Sequence, residues 1–438
     1  MVEVLTVIMM MAAIIFLGVF GEIIFTKTRI PDVLWLVILG IIIGPVFGIV
    51  SPDTLWVIAP LFSALALMII LFEGGLDLQI YKVIKEAPKG FLLAVTGFVL
   101  SIIGIMLVTE GLAFLGILQN WSLLNGLLLG AIVGGSSSLV VLPLAKKARL
   151  GGKLTDVLSI EAAATDALAV IVVFALIQFI VIPGTGFQEI ANNIVGSFAI
   201  GAVIGAITGI MWLYVLRAFK GHRHHYMLTF AFLLLLYAMV DYIGGSAAIA
   251  ILAFGLMLGN GKAISKMLQL SERISLDDDV KEFHSIISFF IKTFFFAFIG
   301  LMLVVELEIA LIGIGLAVIL LLIRIVSVKI NTWKQDITAN ERHLMYSFMP
   351  RGLAAAVLAI MPLAYGIPGT EVFTGIAFTI IVTTIVICTV GVYVFTSKQP
   401  KEKITPKSKI EQISTKEGEE PKRFLKLGSG ILKTVEKD

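Results

Sequence analysis

Two acids stand in the stretch Ile160-Glu161-Ala162-Ala163-Ala164-Thr165-Asp166-Ala167-Leu168, where the flanking residues are almost all apolar. An acid in such surroundings needs a cation, a proton or a metal ion as company, because isolated charge in hydrocarbon costs several kcal/mol. On a helix, five residues of separation turn Glu161 and Asp166 about 140° apart, so each must face a different neighbour. One reading makes both of them helix-holding ion pairs. Glu161 suits that reading better. Asp166 suits the other one, a carboxylate that binds an exchangeable ion.

Two further stretches carry the residues that such an ion needs. Gly134-Gly135-Ser136-Ser137-Ser138 interrupts one apolar run, and Met349-Pro350-Arg351-Gly352 interrupts another. Glycine pairs and serine runs weaken a helix, and proline removes a hydrogen bond and clashes with the preceding turn. Freed backbone at membrane depth is tolerated where it lines a polar cavity. Hydroxyls of Ser136, Ser137, Ser138 and Thr165, with loosened carbonyls, are therefore candidate ligands for a bare alkali cation beside Asp166. Glu73 and Asp77 lie one turn apart near a helix end. They form either a cation-attracting funnel or an ordinary solvated terminus.

These residues must be held by membrane-spanning elements. The chain has 438 residues, of which 58% are hydrophobic, and a mean hydropathy of +1.03. Charged residues make up 14%, where soluble chains carry about 25%. That balance excludes a soluble enzyme, a nucleic-acid binder and a disordered scaffold. The chain's one cysteine, Cys388, rules out an internal disulfide. Thirteen apolar runs are expected as spans, near 3–25, 32–50, 56–78, 90–109, 122–145, 155–182, 190–216, 226–244, 245–259, 283–304, 307–328, 342–365 and 371–396. The first lacks a basic leader and a small-residue cleavage site, so it reads as a retained helix. Lys and Arg fall in alternate loops and in the polar tail 398–438, which predicts an outside N-terminus and a cytoplasmic C-terminus in a multi-pass cell-membrane protein. Arg324 is counted in this tally with the loop that closes the eleventh run.

Of the 33 basic residues, the loops and tail account for all but Lys292 and Arg351. Both fall inside spans, and both become functional candidates by subtraction. The histidines, His222, His224, His225, His284 and His343, lie in or beside loops and read as solvated. No catalytic dyad can be assembled at membrane depth, so an enzyme is not expected.

The chain resembles the monovalent cation–proton antiporter superfamily, and within it the NhaP-type sodium/proton antiporters. The matching pieces are Leu71-Phe72-Glu73-Gly74-Gly75-Leu76, Glu161 with Asp166, Phe298-Ile299-Gly300 and Pro350-Arg351-Gly352-Leu353. The resemblance covers nearly all of residues 1–397. It implies an all-α polytopic fold of two inverted six-helix repeats with crossed broken helices, and a homodimer. It further implies dimerisation helices at about 1–89 and 226–304, core helices at about 90–182 and 307–397, and a linker helix at about 190–216. Asp166 would bind Na+ or H+, and Glu161 and Arg351 would form an internal ion pair. The count of charges around Asp166 adds Lys292 as the charge-compensating residue. The family's usual Asn-Asp or Asp-Asp is Thr165-Asp166 here, and its usual Thr-Asp-Pro is replaced by the serine run. That run looks more like Kef-type potassium/proton systems. Expected cargo is therefore Na+ or Li+ against H+, with K+ as the alternative, and no cofactor.

Overall fold

The computed structural model describes residues 32–48, 59–77, 88–147, 150, 152–181, 187–219, 225–267, 278–302, 306–333 and 337–396, with scattered positions between 9 and 23. Calls on the tail 398–438 and on most of the first span fall outside the described residues. Among the described residues there are helices and no strands. In chain order they are α1 (Asp32–Ile41), α2 (Ala59–Asp77), α3 (Pro88–Phe114), α4 (Leu123–Gly134), α5 (Ser138–Lys147), α6 (Gly152–Val181), α7 (Phe187–Ala218) and α8 (His225–Tyr242). They continue as α9 (Ala247–Gly259), α10 (Gly261–Met267), α11 (Asp278–Met302), α12 (Leu307–Thr332), α13 (Ala339–Ser347), α14 (Leu353–Ala364) and α15 (Phe373–Thr396).

These helices account for the expected runs from the second onward. α3, α6, α7, α11, α12 and α15 are each long and apolar enough to cross a bilayer alone. The fifth run is the pair α4/α5 and the twelfth is α13/α14, each split where the sequence carries its glycines, serines or proline. The ninth run is α9, and beyond its end the chain bends by 75° into the short α10. The eleventh is longer than expected, because α12 continues to Thr332. Arg324, already inside the expected run, stands two turns before the end of α12 rather than in a loop, and it is buried.

Helices pack in two groups. In one, α1 lies on α11, and α9 is clasped between α2 and α7. In the other, α3 contacts α4, α6 and α12, and α15 contacts α12, α13 and α14. The groups meet where α2 touches α14 and α6. Without a hydrophobic drive between helices in lipid, small residues decide how closely they approach. Gly40 of α1 and Gly300 of α11 illustrate this. A Cβ on Gly40 would come within 2.7 Å of the Gly300 Cα and 2.8 Å of the Leu301 amide nitrogen.

Candidate ion-binding site

The two breaks cross each other. Between α4 and α5 the chain runs extended at Gly135, and the Ser137 amide donates to the Pro350 carbonyl at 2.8 Å. That bond joins one break to the other. A Cβ on Gly352 would fall on the Ser137 side chain, so glycine is what allows the approach. The Arg351 amide donates to Thr384 Oγ1 at 3.0 Å, tying the second break to α15.

Asp166 faces this crossing from α6. Its Oδ2 accepts two hydrogen bonds from Ser138, one from the amide at 3.0 Å and one from Oγ at 2.6 Å. Ser138 is the first residue of α5, so the carboxylate sits at a half-helix N-terminus, where unsatisfied N–H groups and the helix dipole favour negative charge. Asp166 Oδ1 has no hydrogen-bond partner among the described residues. A cavity of about 10 Å³ adjoins the carboxylate, lined by Ser138, Asp166, Gly74 of α2, Leu252 of α9 and Ala354 of α14 among others. That is room for one water-sized guest.

Glu161 looks elsewhere, as the 140° offset required. Its partner is Arg324 and not Arg351. Arg324 Nη2 donates to Glu161 Oε2 at 2.9 Å and Nη1 pairs with Oε1, a two-pronged fork. Arg324 Nε also donates to the Met345 carbonyl at 2.9 Å, in the last turn of α13, where helix carbonyls lack internal partners. One guanidinium thus fastens α6, α12 and the end of a broken helix. The expected Glu161–Arg351 pair fails because Arg351 leaves the break in another direction. Its Nη1 donates to the Met349 carbonyl at 3.3 Å, and its Nε is buried with no hydrogen-bond partner among the described residues. Arg351 nevertheless lines a second cavity of about 10 Å³ together with Ser136, Glu161, Thr165 and Arg324.

The expected ligand set divides accordingly. Ser138 reaches Asp166. Thr165 Oγ1 donates toward the Ser136 carbonyl at 3.2 Å and the Ala162 carbonyl at 3.1 Å, and accepts from the Ser136 amide at 3.0 Å. Its hydroxyl locks the break to α6 and is not offered to Asp166. Among the described residues, Ser136 Oγ makes only a long 3.5 Å contact to Glu161 Oε1, and the Ser137 side chain faces Gly352. Lys292 is half-buried on α11, with no carboxylate at ion-pair distance among the described residues. The charge beside the acids comes from Arg324 and Arg351 instead. Arg324 was legible in principle, since Leu321-Leu322-Ile323-Arg324-Ile325-Val326 sets it between apolar neighbours on both sides. Glu73 lies half-buried on α2, next to Gly74 of the Asp166 cavity, and Asp77 is the last residue of that helix. His284, expected in solvent, is buried on α11 with its ring 4.8 Å from that of Phe72. Among the described residues no cluster of three or more His, Cys, Asp or Glu is placed to hold a metal ion.

Two broken helices crossing beside an intramembrane acid is the architecture of secondary transporters. A family model described as "Sodium/hydrogen exchanger, transmembrane" matches residues 12–395, and the chain belongs to that family. Among its relatives is the K(+)/H(+) antiporter NhaP2 of Shewanella baltica (strain OS223), 25% identical over 379 residues, covering 83% of this chain and 61% of that protein. Another is the Na(+)/H(+) antiporter ApNhaP of Aphanothece halophytica, 28% identical over 277 residues, covering 62% of this chain and 50% of that protein. The chain thus spans some three fifths or less of the length of these curated relatives. The solved structure of the sodium proton antiporter MjNhaP1 from Methanocaldococcus jannaschii at pH 8 shares the fold. Its TM-score is 0.69 at 20% identity, covering 89% of this chain and 97% of that one.

Proposed function

We propose that this chain is a secondary active transporter that exchanges Na+ or Li+ for H+ by alternating access, with cation and proton competing for Asp166. The observation that carries the reading is the state of the Asp166 carboxylate. One oxygen is held by the start of α5, the other has no described partner, and the adjoining cavity is lined from both helix groups. A guest seated there touches elements that would separate when the groups slide past each other. Ser138, loosened backbone and water would complete the oxygen set that a hard cation requires. Glu161, held by Arg324, serves as a fastener, and Glu73 with Asp77 supplies negative charge on the approach. In the same proposal the chain acts as a homodimer built through helices at about 1–89 and 226–304, with its N-terminus outside and its C-terminus in the cytoplasm.

Potassium is the second reading. The serine run favours it, and relatives in this family carry either ion in their names.

The test uses proteoliposomes with an imposed pH gradient. Addition of Na+, Li+ or K+ on one side should dissipate the gradient for the transported ion, and Asp166→Asn should abolish the response. Exchange retained in Asp166→Asn would refute Asp166 as the carrier. Dissipation by K+ alone would replace sodium with potassium.

A further inference from the structure

We propose that the C-terminal end of α12 and the first turns of α13 form a binding site for the phosphate headgroup of an anionic membrane lipid. Lys329, Ile330, Trp333 and Arg342 line an open pocket of about 340 Å³ there, within the range of small-molecule sites, about 300–1,000 Å³. Two cations face a cleft in which no described acid pairs with either. Arg342 Nε is shielded from solvent and has no hydrogen-bond partner among the described residues. The acid next to it, Glu341, is committed to its own helix start. Its Oε2 accepts from the Thr338 amide at 3.0 Å, and its amide donates to Thr338 Oγ1 at 3.3 Å. Among the described residues the positive charge of the pocket therefore stands unneutralised, and a guanidinium paired with an ammonium is a natural phosphate cradle.

The surroundings select a lipid over a free anion. Val318, Leu322, Val326 and Ile330 follow one face of α12 at helical spacing, and each is 47–56% exposed. Such a face on a spanning helix lies against acyl chains. It leads directly to Trp333, which is 86% exposed at the helix end, the depth at which indole rings anchor in the headgroup layer. A diacyl phosphate lipid laid along this stripe places its headgroup between Lys329 and Arg342. The basic-loop pattern assigns this end of α12 to the cytoplasmic leaflet, where anionic lipids attract juxtamembrane cations.

Native mass spectrometry of the purified full-length chain in detergent tests the site, with phosphatidylglycerol, phosphatidylcholine and inorganic phosphate as probes. Wild type should retain phosphatidylglycerol in preference to phosphatidylcholine. Lys329→Gln should weaken that retention about fivefold and Lys329→Gln with Arg342→Gln about thirtyfold, at roughly one surface cation's worth each. Lys329→Arg should retain it. Undiminished phosphatidylglycerol binding in the double variant overturns the site. Millimolar inorganic phosphate displacing the bound lipid supports a shared phosphate cradle. Inorganic phosphate binding with no preference between the two lipids overturns the lipid assignment in favour of a soluble anion. If the double variant does not fold, Lys329→Gln alone decides, since that side chain is exposed.

Discussion

Glu161 and Asp166 share a helix and differ in what surrounds them. Glu161 is fully engaged by a guanidinium, whereas half of Asp166 is free of described partners. Removing one member of a buried pair leaves the other charge uncompensated, which costs about 3–5 kcal/mol, while replacing both with apolar groups is often neutral. Arg324→Met and Glu161→Leu should each lower thermal stability in detergent by about that amount, and the double variant should recover most of the loss. Additive losses in the cycle would show that the two do not act as a pair. Arg351→Ala should cost less than Arg324→Met, since Arg351 has no acid at ion-pair distance among the described residues. The acids were legible in the sequence because charge in an apolar run has so few explanations. Which cation pairs with Glu161 was not. Arg324 and Arg351 are equally plausible cations until the length of α12 and the path of the second break are known. Subtracting loop residues fails when a cation in the last turns of a run is counted with the loop beyond it, as Arg324 was.

At the scale of elements, the crossing depends on glycine. The two breaks could be read from Gly134-Gly135 with its serines and from Pro350, each of which forbids a continuous helix. Their mutual hydrogen bond, from the Ser137 amide to the Pro350 carbonyl, joins residues more than 200 positions apart, and no local pattern encodes it. Nor did the hydroxyls announce which of them would be consumed by the break itself, as Thr165 is. Gly352→Ala places a methyl on the Ser137 side chain and should destabilise the crossing by about 1–3 kcal/mol, the usual cost of overpacking. Exchange should fall with it, because the N-terminus of α5 holds Asp166. Gly315→Ala on α12 meets nothing within 4 Å and is the control, with transport and melting temperature unchanged or slightly raised. Equal losses in both variants would mean that the crossing is not the sensitive element.

For the whole molecule the deciding quantity is charge. The acids of the site, Asp166 and Glu161, are matched by two buried cations, Arg324 and Arg351, and Lys292 is not needed for this balance. With Asp166 ionised the set is neutral. Loaded with either one alkali cation or one proton, it carries a single positive charge. Under the proposed exchange, both loaded forms would be electrostatically equivalent in the movement that exposes the site to the other side, and each would return what the other carried. One cation against one proton moves no net charge. Had a second proton moved, an imposed potential of 100 mV would act on one elementary charge with about 2.3 kcal/mol, shifting the equilibrium cation ratio about fiftyfold. In proteoliposomes clamped at zero and at 100 mV, the ratio of internal to external Na+ at a fixed pH gradient should therefore be the same. A fiftyfold difference would require a further titrating group, and Lys292, half-buried and without a described partner, would be the first residue to replace.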